Sequence, residues 1–337
     1  MTIIAVALYR PPTERKRLEM RPPGRQNSFM TSLRGIARLL RLPLVATAVS
    51  NVTAGYLVAL LVAGDLRDFN PTVLVLLAGT SAGLYLFGMV ENDLADVRRD
   101  RFLGVRRPLV TGEVGWPMAV ALLVLTALAA GVCVWHLRAV CEPRLGGPAV
   151  LLAVGTFAVI NLYNLAAKRG PAYVAITVMG LCRILNYGIG VAAAVGIPRH
   201  RIDLGLLLPT GPLWVRHSLA LFFATAVITG YSIAARRRLG VSSRPWQIFA
   251  VFSLLGGLGM WFIAHTVHGP GFVPPLARVF AAVALASLWP GRLWSGAGPQ
   301  RTPDEYAPFI ERALYWLILL DAAFVVDALL WRAQSGA

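Results

Sequence analysis

Nine mostly apolar stretches follow one another along the chain, at 35–62, 71–90, 117–136, 148–167, 172–195, 217–235, 246–266, 274–290 and 307–331. Each approaches or exceeds the roughly 20 residues that an α-helix needs to cross the hydrocarbon core of a bilayer. Gly, Pro or charged residues break the sequence between them. The pattern predicts an all-α, polytopic membrane helix bundle of about nine spans. The first stretch is long enough to tilt or to extend past the bilayer, and 274–290 is the shortest. Residues 1–33 read differently. The apolar run Ile3 to Leu8 is too short for a signal-peptide core, and Arg10, Arg15, Lys16 and Arg17 follow it rather than precede it. This segment is expected to be a flexible basic tail that touches anionic lipid headgroups, leaving 34–337 as the transmembrane domain.

Composition supports this reading. The 337 residues are 57% hydrophobic and 14% charged, against about 25% charged in soluble domains, and the mean hydropathy is +0.64. Soluble, disordered and disulfide-rich secreted classes are excluded. Lys and Arg number 32 against 16 Asp and Glu, for a net charge of +16. In a chain this apolar the surplus records membrane topology, and nucleic acid is not expected as a partner. Alternate connections, starting with the N-terminal segment, hold 23 of the basic residues and the opposite set holds 8, with Arg183 inside a span. The bias places the N-terminus inside and the C-terminus outside. Cys133 and Cys141 both fall near the outer face. They are read as unpaired small apolar residues, with a disulfide as the alternative; Cys182 is read as packing.

Four of the sixteen acidic residues sit within ten positions, as Glu91, Asp93, Asp96 and Asp100. They continue span 2 into the second inner connection. At 100° per residue the three Asp fall within about 60° of arc, with Asn92 one turn before Asp96. Glu91 and Arg98 point elsewhere. Carboxylates on one stripe repel unless something positive lies between them. Mg²⁺ does this well, because it combines one or two carboxylates with substrate phosphate oxygens. Arg101, Arg106 and Arg107 follow, and an arginine fork suits phosphate. The set reads as a metal-bound diphosphate site, with a solvated loop of topology charges as the alternative.

The run Asn92-Asp93-x-x-Asp96-x-x-x-Asp100, followed by Arg107-Pro108 and Gly112, resembles the first aspartate-rich motif of the UbiA-type intramembrane prenyltransferase superfamily. The number of spans and the place of the motif between spans 2 and 3 are similar. So are Arg38, Arg41 and Asn51 in span 1, and Asn164 with Lys168-Arg169 at the end of span 4. The resemblance covers the chain from about residue 34 onward. It implies a Mg²⁺-assisted transfer of an isoprenyl group from an allylic prenyl diphosphate to a lipophilic acceptor. Asp93, Asp96 and Asp100 would hold the metal. Asp93, Asp96 and Lys168 would carry catalysis, and Asn51, Asn92, Arg107, Asn164 and Arg169 would contact substrate. A terpene cyclase without external acceptor and a non-catalytic lipid carrier are the alternatives.

The chain also resembles itself at an offset of 136. Leu103-Gly104-Val105 returns as Leu239-Gly240-Val241, Arg101 as Arg237, and Pro108 as Pro245 after one inserted residue. Two four-helix pseudo-repeats plus a ninth helix are expected. Asp93, Asp96 and Asp100 then correspond to Thr229, Ser232 and Arg236, so the second aspartate motif usual in the family is missing. Thr225, Thr229, Ser232 and Arg236 still share one helix face. One reading gives Thr229, Ser232 and Arg236 to the diphosphate, with guanidinium charge replacing part of a second metal's work; the other is a dead site with topology charges. Deeper polar residues are Arg183 and Asn186 on one face of span 5, both read as substrate contacts, with a structural ion pair of Arg183 to Asp321 or Asp327 in span 9 as the alternative for Arg183.

Overall fold

The computed structural model describes residues 33–63, 66–102, 104–141, 143–195, 213–236 and 303–335. Its helices are α1 (Leu33–Leu40), α2 (Val45–Ala63), α3 (Pro71–Phe102), α4 (Pro108–Thr111), α5 (Trp116–Val140), α6 (Pro143–Leu165), α7 (Ala172–Val195), α8 (Leu213–Arg236) and α9 (Pro303–Ser335). Six stretches among the described residues are long and apolar enough to cross a membrane, and the apolar part of α8, Ala220–Gly230, is shorter. The described helices match the first six expected spans and the last. The expected spans 246–266 and 274–290 lie outside the described residues.

The bundle is inverted relative to a soluble protein. In α5 the most apolar window is only 17% buried, and Val124, Leu125, Leu128, Val132 and Trp135 face outward. Thr47, Asn51, Asp93, Asp96, His217 and Asp321 are buried instead. A large apolar exterior around a polar interior is stable only in lipid, so this is an integral membrane protein.

Hydrophobicity does not drive helix against helix in lipid, so close packing of small residues takes over. In α3, a Cβ on Gly79 would lie 2.6 Å from Cys133 Sγ and one on Gly83 2.9 Å from Ala130, which seats α3 on α5. Cys133 and Cys141 are free thiols. The tightest crossing joins α2 to α7. A Cβ on Gly55 would stand 2.2 Å from the Tyr187 carbonyl oxygen, and one on Gly190 2.1 Å from that of Val52. At this crossing Arg183 Nη1 donates to the Thr47 carbonyl at 2.7 Å and Nη2 to Thr47 Oγ1 at 3.0 Å. Thr47 and Arg183 are 136 positions apart, the offset of the sequence repeat.

Two details position the end of the bundle that bears the acidic cluster. First, α3 has 32 residues and is about 48 Å long, well beyond a hydrocarbon core of about 30 Å. Its last turns, bearing the acidic cluster, therefore reach past the apolar layer. Second, α1 and α2 are broken at Arg41, which adopts φ 48° and ψ 47° and is the only non-glycine residue with positive φ among those described. This conformation costs an L-residue about 1–2 kcal/mol, and Pro43 follows it in the short turn into α2.

Gly190→Ala is expected to lower stability in detergent by about 2–3 kcal/mol, because two backbone groups occupy the place of the new methyl. Gly131→Ala, whose Cβ meets nothing within 4 Å, is expected to raise it by up to about 1 kcal/mol through helix propensity. Thermal unfolding of the two variants checks the contrast.

Candidate active site at the C-terminal end of α3

Asp93, Asp96 and Asp100 are all buried on one face of α3, as the helical spacing requires. Each meets a cation brought by another segment. The turn Ala167–Arg169, which links α6 to α7, brings Lys168, whose Nζ lies 2.9 Å from Asp96 Oδ1. Nζ also donates to Asn92 Oδ1 at 2.9 Å, and Asn92 Nδ2 donates to Asp93 Oδ1 at 3.2 Å. The connection between α3 and α4 brings Arg107, which contacts Asp93 Oδ1 through Nη1 and lies 2.9 Å from Asp100 Oδ2 through Nε. The Nε contact is an ion pair without hydrogen-bond alignment, so Asp100 Oδ2 is a buried acceptor lacking a hydrogen bond. Arg99 donates to Asp96 Oδ2 at 2.8 Å and lies 3.6 Å from Asp100. The strained Arg41 reaches to 3.5 Å from Asp93.

The result is one connected network of three carboxylates and four cations from four segments. Side-chain exposure sorts the cations. Lys168 is 3% exposed, Arg107 18%, Arg41 33% and Arg99 41%. Lys168 and Asp96 are thus a desolvated pair whose two members depend on one another, whereas Arg99 is a surface contact of small worth. Outside the network, Arg38 closes the rim with a two-pronged contact to Glu113 at 2.8 and 2.9 Å.

The other expected site residues divide. Asn164 donates to Glu91 Oε2 at 2.8 Å and to the Gly88 carbonyl at 3.0 Å, which pins α6 to α3. Glu91 does face away from the aspartates, but it is buried. Arg169 donates to the Ala95 carbonyl at 3.3 Å beside the cluster. Arg183, Asn186 and Asn51 lie in a separate layer, away from the aspartates. Asn186 donates to the Ala48 carbonyl at 2.9 Å and to Asn51 Oδ1 at 3.0 Å. Asn51 and Ser50 both donate to Asp321, at 3.4 and 2.6 Å. This layer lies about 18 Å from Asp93, since Ser81, which bonds the Ala48 carbonyl, precedes Asp93 by twelve residues of α3. On α8, Thr225 and Thr229 are buried, Ser232 is half-buried, and Thr225 Oγ1 has no hydrogen-bond partner. Arg236 closes α8, and its side chain lies outside the described residues.

Sequence reasoning missed three features. Arg99 is one turn from Asp96, so the i,i+3 rule could have placed it. Arg41 was noted but not assigned to the aspartates. The largest omission is His217, which is fully buried. It lies 3.3 Å from the Tyr187 hydroxyl through Nδ1 and 3.1 Å from Asp327 Oδ2 through Nε2, and its ring stacks on Phe324 at 4.2 Å. A histidine between residues of two other helices leaves no local signal.

Among the described residues no group of three or more Asp, Glu, His or Cys converges as a metal cage. Mg²⁺ does not require one when it shares its sphere with phosphate and water. Hard carboxylate oxygens and the unbonded Asp100 Oδ2 suit that shared mode.

No family model matches the sequence, and no curated protein matches it significantly. Solved structures do match. A UbiA homolog from Archaeoglobus fulgidus bound to GPP and Mg²⁺ is 16% identical, with a TM-score of 0.52 over 87% of this chain and 99% of that one. An apo UbiA homolog from Aeropyrum pernix K1 is 18% identical, with a TM-score of 0.51 over 85% and 96%. A digeranylgeranylglyceryl phosphate synthase is 15% identical, with a TM-score of 0.51 over 89% and 99%. This chain shares their fold.

Asp96→Leu is expected to cost about 3–5 kcal/mol by stranding Lys168. Adding Lys168→Met should restore part of that loss, with a coupling of about 0.5–3 kcal/mol. A double-mutant cycle on unfolding in detergent measures it.

Proposed function

We propose that this chain is an intramembrane prenyltransferase of the UbiA type, moving an isoprenyl group from an allylic prenyl diphosphate to a lipophilic acceptor. The observation that carries the reading is the buried carboxylate face of Asp93, Asp96 and Asp100, ringed by Arg107, Lys168 and Arg41 at one end of a lipid-facing bundle. Few ligands need three carboxylates and several fixed cations together; a diphosphate carried with a divalent ion does. The solved homologue with GPP and Mg²⁺ has the same fold, and the basic-residue bias puts this end on the cytoplasmic side.

In this reading Asp93, Asp96 and Asp100 would hold Mg²⁺, which supplies charge neutralisation to the departing diphosphate. Lys168 is fixed by Asp96 and Asn92 at the same mouth, so its ammonium meets negative charge as the allylic C–O bond breaks. Asn92 links Lys168 to Asp93 and keeps the two in register. Arg107 and Arg169 add donors on the connecting segments. Asn164 positions α6, and through it the turn bearing Lys168, by its bonds to α3. On α8, Thr229 and Ser232 offer hydroxyls in place of the second aspartate motif, and Arg236 ends that face. The new bond forms between the allylic carbon and the acceptor nucleophile, whose proton leaves as diphosphate departs. The bundle keeps water from competing for the cation.

Thr229 and Ser232, standing where aspartates are usual, favour one second reading: the same departure followed by closure on the substrate's own double bond. Product analysis with one diphosphate and no acceptor separates the two.

Purified protein with Mg²⁺ and a panel of prenyl diphosphates should release diphosphate, and chelation should stop release. Asp93→Ala and Asp96→Ala should each lower it by about 100-fold or more, on the scale of losing a transition-state charge contact. No release from any donor would overturn the enzymatic reading.

A further inference from the structure

We infer that Arg107 is an exchangeable counter-ion: it holds Asp93 and Asp100 until a divalent cation takes those oxygens, and is then freed to grip the diphosphate. The inference rests on the proposed function and adds the form in which the ligand is taken, namely as a metal–diphosphate complex and not as either part alone.

The geometry makes the two cations competitors. Arg107 contacts one oxygen of Asp93 and one of Asp100. Mg²⁺ sits about 2.0–2.1 Å from its ligand oxygens. A guanidinium and Mg²⁺ on the same oxygen would stand only about 4 Å apart and repel strongly. One must leave, and Arg107 is the cation that contacts both Asp93 and Asp100 while being held less tightly than Lys168. Lys168 is the least exposed of the four cations, and both Asp96 and Asn92 hold it. Arg107 is more exposed and lies in an extended backbone, φ −106° and ψ 155°. Gly104 and Gly112 flank it, both at positive φ and both with open space where a Cβ would stand. Its contact to Asp100 is unaligned, leaving Oδ2 without a hydrogen bond. Asp96 keeps Lys168 and Arg99 when Arg107 departs.

A released guanidinium at this position presents its planar fork to phosphate oxygens. Metal binding then improves the site for diphosphate, and by reciprocity diphosphate improves it for metal. The residue next door is a built-in control. Arg106 is exposed, and its backbone oxygen accepts from Arg38.

The test is titration calorimetry of the full chain in detergent with Mg²⁺, with inorganic diphosphate, and with each in the presence of the other. The wild type should bind each alone weakly and tighten at least about 10-fold for one when the other is present. Arg107→Gln should bind Mg²⁺ alone at least about 5-fold tighter and reduce the mutual tightening to within about 2-fold. Arg106→Gln should change neither. Arg107→Lys, which keeps the charge but cannot span two carboxylates, should fall between wild type and Arg107→Gln, and thermal melting confirms that each variant is folded. Unchanged or weaker Mg²⁺ binding in Arg107→Gln, or equal tightening in Arg106→Gln, overturns the exchange while leaving the prenyltransferase reading in place. A wild type that never binds diphosphate with Mg²⁺ overturns both.

Discussion

An ionised side chain in a lipid-facing bundle must be met by an opposite charge or by enough hydrogen bonds, because no water is at hand to solvate it. Most of the aspartate-bearing half of this protein follows from that constraint. The overlong α3 carries three carboxylates to the edge of the apolar layer, and the chain answers with a cation from each segment that ends there. The α6–α7 turn delivers Lys168, the α3–α4 connection Arg107, and the break before α2 Arg41. The strained backbone at Arg41 fits this account, since a local cost is tolerated where surrounding contacts fix the residue.

The same constraint arranges the rest of the bundle in polar layers. Midway along it, Arg183, Asn186, Asn51, Ser50 and Asp321 tie α7, α2 and α9 together. Further from the aspartates, level with Gly55 of α2, Tyr187, His217 and Asp327 tie α7, α8 and α9. Apolar side chains pack against lipid tails about as well as against each other, so they set helix register weakly. Buried hydrogen bonds between particular residues set it strongly. The polar layers tell each helix where to stop sliding, and the glycines at the α2–α7 and α3–α5 crossings tell it how near to come.

What could be read from the sequence divides along the same line. Described spans fell within a few residues of the apolar stretches at most ends, because bilayer thickness dictates length. The aspartate face was legible from helical period alone. Both signals are local. Asn164 could be seen as polar and inward, yet its partner Glu91 lies 73 positions away, and His217 meets Asp327 across 110. No spacing rule spans such distances. Arg183 showed the limit most clearly: no local spacing pointed to Thr47, whose carbonyl and hydroxyl accept from its guanidinium across 136 positions.

That pair has an evolutionary corollary. Two identical half-length subunits crossing as α2 and α7 do would set threonine against threonine or arginine against arginine, the second with like charges pressed together in an apolar medium. A hydroxyl facing a guanidinium needs unlike residues at the two matching positions, which a single chain can supply. The same freedom from symmetry lets positions 136 apart differ in charge as well as in shape, with Asp93, Asp96 and Asp100 in one half answered by Thr229, Ser232 and Arg236 in the other.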